Sequence, residues 1–171
     1  MKKYQLLLLD ANVVIYLFEE GVWDKLLEKC DVHLERTIVQ QSAWYDDHNG
    51  NRHNIDLSGY ENSGAITVFE VDLDEVEVLT SMLTPSISEV LHIGETESLA
   101  RMVTSTDKYQ ICSSDPAVYR ALGALNMSEQ SVSLEILLKG IGLSRQLVWP
   151  FSEDFRKKYL EYGFSSGFLG L

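Results

Sequence analysis

Two kinds of hydrophobic spacing alternate along this chain. Tyr4 to Leu9, "YQLLLL", is an apolar run continuous enough to be buried on both faces, as central strands of parallel sheets are, and Asp10 closes it. Val13, Val14, Leu17 and Phe18 then recur with helical period, and "WDKLLEKC" continues that period. "DVHLE" predicts a second short strand, and "TIVQQSAWYDD" returns to helical spacing. From Asp47 to Gly64 the pattern breaks into a polar, turn-rich stretch with Asn49-Gly50, Ser58-Gly59 and Ser63-Gly64, which predicts an insertion or mobile flap. "AITVFEVD" predicts a strand, "LDEVEVLTSML" a helix, and a further helix follows Pro85 through "GETESLARMVTS". "YQICSS" predicts another strand, ended by Asp115-Pro116, where Asp caps and Pro opens a helix through "AVYRALGAL". "SVSLEILLKGIGL" and "SEDFRKKYLEYGF" supply two closing helices.

Strands alternating with helices predict one α/β domain over residues 1–171 with a mainly parallel sheet, and such sheets bind ligands at the carboxyl ends of their strands. Asp10 and Asp115 both fall at such ends, so two carboxylates are expected to converge. Either alone reads equally well as a helix cap.

Composition fits this picture: 171 residues with 45% hydrophobic and 10% aromatic content make a globular chain with a sizeable core. The apolar run after "MKK" stops at Asp10 with no small-residue cleavage site, so Leu6 to Leu9 is expected to be a strand rather than a secretory signal. No segment approaches the about 18 uncharged apolar residues that span a bilayer. A soluble, cytoplasmic protein with no membrane partner is expected. Cys30 and Cys112 lack a metal-type pairing and read as reduced, partly buried thiols. The net charge of −12 opposes attraction to phosphate backbones, so a nucleic-acid role needs bound cations or a basic partner protein.

Which other acids could join Asp10 and Asp115 is decided by helix geometry, because a functional carboxylate should share the buried stripe of its helix. With "VQQSAWYDD" taken as helical, Asp46 extends the stripe of Val39 and Ala43, while Asp47 turns away. Glu95 stands four before Leu99 and seven before Met102, also on the stripe, whereas Glu97 with Arg101 four residues on reads as an exposed ion pair. Buried carboxylates without a basic partner cost several kcal/mol or stay protonated, so a cation is the natural solution. Mg²⁺ or Mn²⁺ held by carboxylates serves phosphoryl transfer.

"LLLLDANVVIYLF", "VQQSAWYD", "IGETESLARM" and "ICSSDPAVYRAL", in this order, resemble the PIN-domain ribonucleases, including the toxins of toxin-antitoxin pairs, over residues 4 to about 140. The resemblance implies a three-layer α/β/α, Rossmann-like domain whose central, mainly parallel sheet has roughly four to five strands. It implies Mg²⁺- or Mn²⁺-dependent hydrolysis of RNA, with Asp10, Asp46, Glu95 and Asp115 as catalytic metal-holding acids. Asn12 and Ser113 would bind substrate or orient water. It also implies frequent homodimerisation and, for a toxin, an antitoxin protein as partner. The family more often has Glu where Asp46 stands. The polar insertion at 47–64 and a C-terminal extension at 144–171 depart from the compact pattern; the extension is expected to pack back on its own domain.

Two other functions compete. One is a PIN-like scaffold of little or no activity that serves as an RNA- or protein-interaction module. The other is a phosphatase with Asp10 as nucleophile, which usually wants an acid where Asn12 stands. His48 and His53 lack the further ligands of a zinc site. His33 and His92 show no partners in the sequence, Arg52 reads as a surface arginine, and Arg156, Lys157 and Lys158 read as a solvated helix face.

Overall fold

The computed structural model describes residues 2–169. Four strands, β1 (Tyr4–Leu9), β2 (Cys30–Glu35), β5 (Ile66–Phe69) and β6 (Gln110–Cys112), form one sheet in the order β5-β2-β1-β6. All three pairings are parallel. Successive side chains of a strand face opposite ways, and in β1 both ways lead to core. Leu7 and Leu9 join Val32, Leu34 and the helices α1 (Ala11–Glu19), α2 (Trp23–Lys29), α3 (Arg36–Gln41) and α9 (Leu134–Gly140). Leu8 joins Ile111 and the helices α5 (Leu73–Met82), α7 (Ile93–Thr104), α8 (Pro116–Ala124) and α10 (Glu153–Leu169). The unbroken leucine run thus corresponds to a sheet covered by helices on both faces, compatible with a three-layer α/β/α fold. No helix of the described residues is long and apolar enough to cross a membrane.

The polar insertion is a built element. β3 (Trp44–Asp46) and β4 (Arg52–Asn54) pair antiparallel, and a short helix, α4 (Ser58–Asn62), follows. Gly50 supplies the positive φ of +80° that the hairpin loop needs, and the Asp47 carboxylate accepts from the Asn49 and Asn51 amides at 2.9 Å each. This corrects the helix expected through "TIVQQSAWYDD". That helix ends at Gln41, where the Ser42 hydroxyl bonds back to the Ile38 carbonyl at 2.8 Å and the backbone leaves the helical region. The helix expected after Pro85 likewise divides into α6 (Pro85–Ser88) and α7.

The C-terminal extension packs on its own domain through α8 and α10. Their backbones approach so closely that a Cβ on Gly163 would stand 1.9 Å from the Arg120 carbonyl oxygen, and one on Gly123 2.1 Å from that of Leu160. Arg156 is not part of a solvated face: it forks onto Glu153 at 2.6 and 2.9 Å and bonds the Ser131 hydroxyl at 2.8 Å, leaving Lys157 and Lys158 outside. Both cysteines are fully buried free thiols.

Candidate metal centre

The strand order fixes where a site can form. From β1 the chain steps to β2 and then β5 on one side, and returns to β6 on the other, so the carboxyl ends of β1 and β6 flank a topological switch point. Asp10 leaves β1 there, and Ser113, Ser114 and Asp115 leave β6. The Asp10 amide donates to the Cys112 carbonyl at 3.2 Å, which locks the two ends together.

Asp10 caps α1 and faces the crevice at once. Its Oδ1 accepts from the Val13 amide at 2.8 Å; its Oδ2 accepts from the Ser113 hydroxyl at 2.5 Å and the Ser114 amide at 2.8 Å. It is 3% exposed and lines a cavity of about 240 Å³ with Ala11, Asn12, Ile15, Ile38, Gln41, His92 and Glu95. Burial pushes its carboxyl above the usual range, the three donors pull it back, and the neighbouring charge of Asp115 raises it again. Asp115 caps α8 through the Ala117 amide at 2.7 Å. Capping therefore does not keep either carboxylate from the crevice.

Glu95 sits in the first turn of α7, 9% exposed, where its Oε2 accepts from the His92 amide at 3.1 Å. Burial first, then the charges of Asp115 and Asp10, push its carboxyl up to about 7 against the pull of His92. Gly94 lets this helix end approach α3: a Cβ there would meet Ile38 Cδ1 at 2.7 Å. Among the described residues no lysine or arginine pairs with Asp10, Glu95 or Asp115. The side chain beside Glu95 and Asp115 is instead His92, absent from the sequence expectation, whose Nδ1 lies 3.5 Å from Glu95 Oε2 and 3.4 Å from Asp115 Oδ2. Ligand atoms of His92, Glu95 and Asp115 all lie within 4.8 Å of one another.

Asp46 is not brought to this centre. It lies on β3, outside the helical stripe that selected it, and is exposed and paired with Arg52 at 3.4 Å. Helix α3 delivers Gln41 to the cavity instead, an amide in place of a fourth carboxylate. Ser113 is fully buried, and its hydroxyl serves Asp10 as donor and the Asp115 amide as acceptor at 3.0 Å, so it positions both acids rather than meeting a substrate. Asn12 is exposed and lines both the cavity and an adjoining one with Tyr16, Ser114 and Phe151.

The same sheet edge carries a second carboxyl pair that sequence reasoning missed. Glu35 ends β2 and accepts from the Thr37 amide at 2.5 Å, 3% exposed; burial and its hydrogen bond with Glu97 of α7 push it up to about 7. Glu97 therefore turns inward, and the Arg101 expected to pair with it bonds Glu75 at 2.9 Å. Glu19, Glu20 and His48 also approach one another, but Arg145 already pairs with Glu20 at 3.0 Å.

No family model matches the sequence, and no curated protein matches it.

Proposed function

We propose that this protein is a PIN-like, metal-dependent endoribonuclease whose cation is held by Asp10, Glu95 and Asp115. The observation that carries this reading is the meeting of three acids from three distant segments in one crevice at the switch point, two of them buried and none with a lysine or arginine partner among the described residues. Three carboxylates so placed repel one another unless a cation neutralises them, and oxygen donors suit Mg²⁺ or Mn²⁺. When bound, the ion supplies an acidified water and offsets charge developing on a phosphodiester.

The chain's own residues do the rest. Ser113, Ser114 and Val13 fix the Asp10 carboxylate from three directions, so it need not reorganise during reaction. Glu95 would hold the cation as an ionised carboxylate; without metal, burial and the charges of Asp115 and Asp10 push its carboxyl up to about 7. Asn12, open to both cavities, offers an amide to a phosphate or ribose. In a cell this activity would be cytoplasmic, and the toxin-like resemblance would bring a homodimer or an antitoxin protein as partner.

A second reading, an RNA- or protein-binding scaffold with little turnover, draws on one observation: Gln41 stands where a fourth acid is wanted. Incubating the purified protein with a mixed RNA pool separates them. Cleavage that needs Mn²⁺ or Mg²⁺ and stops with chelator is expected; binding without cleavage at any metal concentration selects the scaffold.

A further inference from the structure

Resting on the metal-dependent reading above, we infer that His92 is a direct ligand through Nδ1, and that it makes the centre selective for first-row transition ions such as Mn²⁺, Co²⁺ or Zn²⁺ over Mg²⁺.

The ring's position is set by a fixed backbone. The His92 amide donates to Glu95 Oε2 at 3.1 Å, and its carbonyl accepts from the Thr96 amide and hydroxyl at 2.9 Å each. From this anchored residue, the N-cap of α7, the side chain stands at the mouth of the crevice, 75% exposed, with Nδ1 turned toward the two acids. Its separations from them, 3.4 and 3.5 Å, match donors held about 2.1 Å from one tetrahedral centre, which are about 3.4 Å apart. Two nearly buried acids, Asp10 and Glu95, line the cavity beside the ring.

The donor set then decides the ion. Mg²⁺ demands near-octahedral oxygen coordination and keeps its waters, so an imidazole gains it little. Mn²⁺, Co²⁺ and Zn²⁺ accept nitrogen and oxygen together, with affinity rising along that part of the first row. The competing role for the ring is a built-in counter-ion, an imidazolium standing where the cation would go. That role has the opposite signature, since removing a competitor tightens binding of every metal.

The test uses the full chain, stripped with chelator and dialysed, with no RNA present. Co²⁺ is titrated by visible absorption and Mg²⁺ by calorimetry, for the wild type and His92→Ala. The inference expects the variant to lose at least tenfold in Co²⁺ affinity while Mg²⁺ affinity stays within twofold. Equal losses for both ions, a preference shift under tenfold, tighter binding, or no Co²⁺ binding by the wild type each overturn it. Circular dichroism in chelator checks the fold, and His92→Asn, which keeps a helix cap, replaces the alanine variant if that one melts. Failure here is separable from failure of the nuclease reading. A protein that binds Co²⁺ through His92 yet cleaves no RNA sinks only the latter, while Mg²⁺-dependent cleavage indifferent to His92→Ala sinks only the former.

Discussion

The Ser113 hydroxyl donates to Asp10 Oδ2 at 2.5 Å across 103 residues of sequence, joining the ends of β1 and β6 at the mouth of the candidate centre. Ser113→Ala removes a donor to a buried carboxylate and leaves the Asp115 amide without its acceptor. A hydrogen bond to a charged group contributes about 1.5–3 kcal/mol, so urea unfolding should show a loss in that range. Metal-dependent cleavage should fall with it, because Asp10 loses one of three supports. A variant as stable as the wild type would show that this bond does not organise the strand ends.

Stability without metal should depend on pH in a defined direction. Glu35 and Glu95 are both raised to about 7 in the folded chain, above the ordinary carboxyl value of 4.5. Between those values the folded state holds protons that the unfolded state has released, so what these two groups contribute to stability is greatest near pH 4.5 and is lost as pH rises through about 7. Thermal melts in chelator should record that decline. Glu35→Gln, neutral at every pH, should flatten it and raise the melting temperature at pH 8. A melting temperature that climbs over this range would contradict the burial of these carboxyls.

Position 46 and position 41 exchange their expected importance. Asp46→Ala should change stability by no more than about 0.5 kcal/mol, since exposed ion pairs are worth little, and should leave cleavage within twofold. Gln41→Glu places a fourth acid in the cavity and should tighten Mn²⁺ binding while lowering stability in chelator. Calorimetry and melting curves measure both. Loss of cleavage in Asp46→Ala would restore the resemblance's original assignment.

How much was legible follows from what each residue's signal depends on. The uninterrupted apolar run of β1, the Asp-Pro cap after β6 and the stripe containing Glu95 are local features, and they foretold that Asp10, Asp115 and Glu95 lie near one another. Asp46 failed because the helical period was extended past Gln41, although Trp44 to Asp46 pair instead with Arg52 to Asn54, a contact no local spacing reveals. The Asn49-Gly50 turn was the available hint of that hairpin. Glu97 failed because Arg101 four residues on looked sufficient, while the tertiary partner Glu75 took that arginine. His92 became legible only once β6 brought Asp115 beside α7.

Gly123 and Gly163, where α8 and α10 cross, should tolerate no side chain. Gly163→Ala puts a methyl 1.9 Å from a backbone oxygen that cannot swing aside, so the helices must separate at a cost of about 1–3 kcal/mol or more. Gly59→Ala is the control: it lies within α4 with nothing near its Cβ, and should stabilise by about 0.5–1 kcal/mol. Denaturant unfolding of both variants checks the pair. Equal behaviour would contradict the close crossing.

The most direct measurement is cleavage of a labelled oligoribonucleotide by wild type and Asp10→Asn, each with Mn²⁺ and with chelator, after both are shown to be folded. Asparagine keeps the cap of α1 but removes the central charge, so cleavage should appear only for wild type with Mn²⁺, while the variant melts at the same or a higher temperature in chelator. Undiminished metal-dependent cleavage by Asp10→Asn would mean that the acids gathered at the switch point do not carry out the reaction.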